Sequence, residues 1–167
     1  TSARARSSRK HAQSALGDLK SSEAPRNTTC SAKNILILAV DSTGSCLSAA
    51  YQLCYRLESN WGNLVKLFGS DDIEIVVVAF GDAKFDPGEA LFVSEPLRGP
   101  KFNFNFQSAT IGRGGADGRE SPELAAFYIS RCIDIGEAEQ VFCFFFTDEP
   151  GSDIVDTPVV CRELGIR

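Results

Sequence analysis

A chain of 167 residues with 43% apolar content is long enough for one domain with a sizeable core, and no apolar run approaches the roughly 20 residues of a membrane-spanning helix. The net charge of −5 is unevenly spread: residues 1–34 hold seven Lys or Arg against two acids, and the remainder is strongly acidic. A body of that sign is a poor partner for nucleic acid and a good one for cations.

Residues 1–33 are rich in Ser, Ala and Arg and poor in apolar side chains, so they are expected to form a basic flexible arm, with the domain proper over 34–167. No signal-peptide pattern is seen in the opening residues. Six cysteines without a C-x-x-C pair, and one histidine (His11), argue against a structural zinc site. Cys54, Cys132 and Cys143 fall on apolar faces and are expected to be buried free thiols, which favours a reducing compartment. The glycosylation sequon Asn27-Thr28-Thr29 points the other way.

Ile35 to Val40 is a continuous apolar run of strand length, as expected for a strand buried on both faces. It stops at Asp41, followed by Ser42, Thr43, Gly44 and Ser45, a tight turn rich in oxygens. From Leu47 to Phe68 the apolar residues recur every three or four positions, which predicts one long amphipathic helix ended by Gly69. Ile73 to Phe80 predicts a second buried strand, and Leu91 to Val93 a short third strand paired with it as a hairpin.

Phe102, Phe104 and Phe106 alternate with polar residues, as in a half-buried extended segment. Ile111 to Glu120 is a glycine-rich loop leading to Ser121-Pro122, a good start for a helix that runs to Ile135. Val141 to Phe146 predicts another buried central strand, ending on Thr147-Asp148. Thr157-Pro158 starts a last short helix that ends at Leu164-Gly165.

Two central strands thus end on aspartates, Asp41 and Asp148. If these strands are parallel neighbours, about 5 Å apart, both carboxylates reach one crevice and repel. A divalent cation removes that conflict. Thr43 and Ser45 add hydroxyl oxygens, and Asp117 in the glycine-rich loop is either a third carboxylate ligand or a turn former. An all-oxygen set suits Mg²⁺, Mn²⁺ or Ca²⁺ rather than zinc or copper.

These motifs resemble a family. Asp41-Ser42-Thr43-Gly44-Ser45 after an apolar strand looks like the Asp-x-Ser/Thr-x-Ser motif of von Willebrand factor A domains, the integrin I-like modules. Gly114-Gly115-Ala116-Asp117-Gly118-Arg119-Glu120 is similar to their second metal loop, and Phe146-Thr147-Asp148-Glu149-Pro150 to their third. The resemblance implies an α/β fold: a Rossmann-like open, mostly parallel sheet flanked by helices. It also implies a metal-ion-dependent adhesion site. There Asp41, Thr43, Ser45, Asp117 and Asp148 hold Mg²⁺ (or Mn²⁺ or Ca²⁺), with Thr110 as the alternative to Asp117. An acidic side chain of a partner protein completes the coordination, and further domains of a longer chain are compatible with such a module.

The family's sheet continues with two further strands and a closing helix. This sequence stops at Gly165-Ile166-Arg167, so a C-terminally truncated domain, a shorter sheet or an edge covered by another chain is expected. Two rival readings stand beside the adhesion module, which would not be an enzyme. Haloacid-dehalogenase-like phosphatases also open on a strand ending in aspartate, but they need a second acid where Thr43 stands. A metal-free structural α/β domain is the other.

Overall fold

A computed structural model of the chain describes residues 27–44, 46–85, 90–100, 120–151 and 154–165. The elements in order are β1 (Thr28–Thr29), β2 (Asn34–Asp41), α1 (Leu47–Ser59), α2 (Trp61–Phe68), β3 (Ile73–Phe80), β4 (Leu91–Val93), β5 (Leu97–Arg98), α3 (Pro122–Cys132), β6 (Ile133–Asp134), β7 (Gln140–Phe146) and α4 (Thr157–Leu164). The fold is mixed α/β, with a mostly parallel sheet and four helices among the described residues.

The sheet order is β4-β3-β2-β7, with β5 also paired to β3. β2 runs parallel to both β3 and β7, whereas β4 and β5 are antiparallel to β3. All eight residues of β2 and all eight of β3 are buried. Their continuous apolar runs follow from this, because a strand covered on both faces has no polar side.

Successive side chains point to opposite faces. Ile35, Ile37, Ala39, Val76, Val78 and Phe80 pack with Leu124, Ala125 and Tyr128 of α3 and Val160 and Leu164 of α4. Leu36, Leu38, Val40, Ile75, Val77 and Ala79 pack with Ala50 and Cys54 of α1 and Trp61 and Phe68 of α2. Each fully buried Val, Leu, Ile or Phe contributes about 1.5–3 kcal/mol, so these two layers fix the positions of the strand ends.

Three expectations are corrected. The helix from Leu47 to Phe68 is two helices broken at Asn60, whose amide donates to the Arg56 carbonyl at 2.8 Å and whose own carbonyl accepts from Asn63 and Leu64. Gly69, at φ +68°, does end the second one. β7 is not a buried central strand: it lies at the sheet edge, all seven residues are exposed, and Phe144 is 49% exposed. Its apolar pattern records a demand for cover that the described residues do not meet, apart from contacts such as the edge-on packing of Phe142 on Phe68 at 5.5 Å. Cys143 is therefore exposed, while Cys54 and Cys132 are buried free thiols as expected.

The fold also begins before position 34. Thr28, Cys30 and Ala32 are buried, β1 pairs in parallel with β6, and Thr28 and Tyr128 share a buried hydrogen bond of 2.9 Å. Glu74 anchors this segment: its Oε2 accepts from the Ser31 and Ala32 amides at 2.7 and 3.1 Å, and its Oε1 from Arg98 Nε at 2.8 Å. Periodicity gives no sign of these contacts, because they are made by backbone amides. The expected extended segment around Phe102–Phe106 and most of the glycine-rich loop lie outside the described residues.

Candidate metal centre

The carboxyl ends of three parallel strands, β7, β2 and β3, lie side by side at one rim of the sheet. Register sets what meets there. Val40 aligns with Phe146, so Thr147 and Asp148 emerge beside Asp41. Asp41 aligns with Phe80, so Gly81 and Asp82 emerge on its other side.

Asp41 is fully buried. Its Oδ1 accepts from the Thr43 amide at 2.8 Å and the Thr43 hydroxyl at 2.6 Å. Its Oδ2 lies 3.2 Å from the Thr147 hydroxyl. The Asp41–Thr43 turn thus closes on itself, which is why a short polar residue after an apolar strand is needed there. Ser42 donates its hydroxyl to the Phe80 carbonyl at 3.0 Å and locks the turn onto β3.

Asp41, Cys46 and Asp148 each offer one ligand atom, and these atoms lie within 4.8 Å of one another. The Cys46 thiol donates to Asp148 Oδ1 at 3.2 Å. Burial, that hydrogen bond and the two nearby carboxylates push the Cys46 thiol up to about 11. With no ion at the rim, the sulfur carries its proton at neutral pH and donates to Asp148.

Glu120, just before α3, joins the same rim. Burial, then Asp41, pushes its carboxyl up to about 7, with Asp82 and Glu149 adding to the rise and the Thr43 hydroxyl opposing it. Acids at the other end of the sheet are neutralised, Asp72 and Glu74 by Arg98. No ion pair among the described residues involves Asp41, Asp82 or Glu120. Among the described residues the rim gathers the acids Asp41, Asp82, Glu120 and Asp148, with Lys84 and Arg162 the cations beside its Asp82 end.

Of the residues expected to ligate a metal, Asp41 and Asp148 lie close together at the rim and Thr43 donates to Asp41. Ser45 and Asp117, and the alternative Thr110, lie outside the described residues. Cys46, Asp82 and Glu120 were not singled out from sequence. The acid of Gly81-Asp82 directly after an apolar strand was the available signal for one of them, identical in kind to Asp41 and Asp148. Compared with known proteins, the chain matches no family model, no curated protein and no solved structure.

Proposed function

We propose that the chain is a von Willebrand factor A-type, Rossmann-like module that binds a partner protein through a hard divalent cation at this rim. The observation that carries the reading is the convergence of Asp41 and Asp148, from the first and last strands of the central parallel group, within reach of one ion. Mg²⁺ and Mn²⁺ are the natural occupants of the carboxylate and hydroxyl oxygens of Asp41, Asp148 and Thr43. Asp148 ligates directly. Asp41, whose oxygens are already engaged by Thr43 and Thr147, acts through bound water. Thr43, and by motif resemblance Ser45 and Asp117, supply the remaining protein oxygens. An Asp or Glu of the partner takes the open position.

A phosphatase of haloacid-dehalogenase type needs a second acid two residues after its nucleophile, and at that position stands Thr43, whose hydroxyl donates to Asp41. No helix among the described residues is long and apolar enough to cross a membrane.

Calorimetric titration with Mn²⁺ tests the reading. Wild-type chain should bind, Asp41→Ala and Asp148→Ala should lose that binding, and a generic phosphate ester should stay intact. Metal-dependent ester hydrolysis would replace the binding module with a hydrolase. Absence of any metal effect on binding or melting would leave a structural domain.

A further inference from the structure

The rim continues past Asp41 into a second cluster. Asp82 is 3% exposed and Glu120 6% exposed. Asp82 Oδ1 accepts from the Lys84 amide at 2.8 Å and the Phe85 amide at 3.3 Å, which closes the turn after β3. Asp82 Oδ2 and Glu120 Oε2 are buried and have no hydrogen-bond partner among the described residues. An unpaired buried acceptor is costly, and an unpaired buried carboxylate oxygen more so.

Both residues line one cavity of about 410 Å³, bounded by the turn after β3, the start of α3 and α4. Two cations, Lys84 and Arg162, also line it; the Arg162 guanidinium donates from Nε to Glu163 at 2.8 Å and from Nη2 to the Ala83 carbonyl. Glu123 and Asp156 add two more acids to the wall. Four acids thus stand against two cations in the wall, a net acidic balance, and the two orphaned oxygens come from different segments of the chain.

We propose that Asp82 Oδ2 and Glu120 Oε2 hold a second hard divalent cation in this cavity, with water in its remaining coordination positions. Mg²⁺ and Mn²⁺ are often bound by one or two carboxylates while keeping several waters. Four waters at about 30 Å³ each occupy roughly 120 Å³, which the cavity accommodates. The donors differ from those of the Asp41–Asp148 centre, so this site stands whether or not that centre binds metal. Glu120 also hydrogen-bonds Thr43 and feels the charges of both Asp41 and Asp82.

Counting Mn²⁺ bound to the full chain tests this, with free Mn²⁺ followed by electron paramagnetic resonance. Two ions per chain are expected. Asp82→Asn and Glu120→Gln should each reduce the count by one, with circular dichroism showing that the fold is kept. Asp41→Asn should remove the other ion, and the Asp41→Asn/Asp82→Asn pair should leave none. A wild-type count that Asp82→Asn leaves unchanged overturns the second site. So does a wild-type chain that binds a single ion lost with Asp41→Asn, a result that needs no folded Asp82 variant. If Asp82→Asn lowers the count and Asp41→Asn does not, the adhesion-site reading fails and the second site survives.

Discussion

Thr43 grips Asp41 twice: its amide and its hydroxyl both reach Oδ1, at 2.8 and 2.6 Å. This double contact fixes the carboxylate before any ion arrives. Groups that orient a ligand around a metal typically contribute 10- to 100-fold in affinity. Thr43→Val is therefore expected to weaken Mn²⁺ binding by about 10- to 100-fold, and Thr43→Ser to restore most of it. Titration calorimetry reads both, and an unchanged affinity in Thr43→Val would remove Thr43 from the centre.

Cys46 gives a prediction about metal choice. Its thiol donates to Asp148 Oδ1 at 3.2 Å, a contact that a hydroxyl can reproduce. Cys46→Ser should bind Mn²⁺ as the wild type does. Loss of Mn²⁺ binding in that variant would mean that sulfur is a ligand. A Zn²⁺ affinity that falls in Cys46→Ser while Mn²⁺ affinity holds would show that the wild-type site admits softer ions through a displaced thiol proton.

Acid stability should depend on Glu74. Burial alone would raise its pKa, but the Ser31 and Ala32 amides and Arg98 outweigh burial and hold it below the ordinary carboxylate value. A group lowered in the folded state adds stability above its unfolded pKa, about 4.3, and loses it as pH falls through the folded value. Glu74→Gln should thus destabilise the chain at pH 7 by about 1–3 kcal/mol. It should also flatten the loss of stability below about pH 4.3. Urea unfolding at several pH values measures both effects.

The Thr28–Tyr128 hydrogen bond ties β1 to α3 inside the fold. Tyr128→Phe leaves the buried Thr28 hydroxyl without this partner, which is expected to cost about 1–3 kcal/mol. Unfolding by urea gives the magnitude. Faster proteolysis near Cys30 than in the wild type would show that the loss is felt at β1.

Edge strand β7 carries five exposed large apolar residues and no charge. Such a strand pairs with other chains. Phe144→Lys should reduce self-association in light scattering while leaving Mn²⁺ binding intact. Unchanged association would place the sticky surface elsewhere.

Much of the fold was legible because its signals were local. β2, β3 and β4 and both short helices after position 120 start where apolar runs, Ser121-Pro122 and Thr157-Pro158 say they do. The meeting of Asp41 and Asp148 was legible as well, because two apolar strands with carboxylates at their carboxyl ends permit few arrangements. What escaped was set by neighbours. Hydrophobicity tells which residues need cover, not whether cover arrives, so Phe142 to Phe146 read as buried although they are not. The break at Asn60 was hidden because the apolar spacing carries on through Trp61 and Leu64. Glu120 and Asp82 acquire their character from being buried near Asp41, a property of packing with no periodic trace.

The joining of β2 to β7 has a kinetic consequence. Asp41 and Thr147 are 106 positions apart, so the rim closes through one of the longest chain loops in the fold. Contacts that distant are slow to form, and interactions absent from the transition state act on the rate of escape from the native basin. Divalent ion should therefore lengthen the lifetime of the folded chain far more than it hastens refolding. In a chevron plot, added Mn²⁺ would lower the unfolding arm and leave the refolding arm in place.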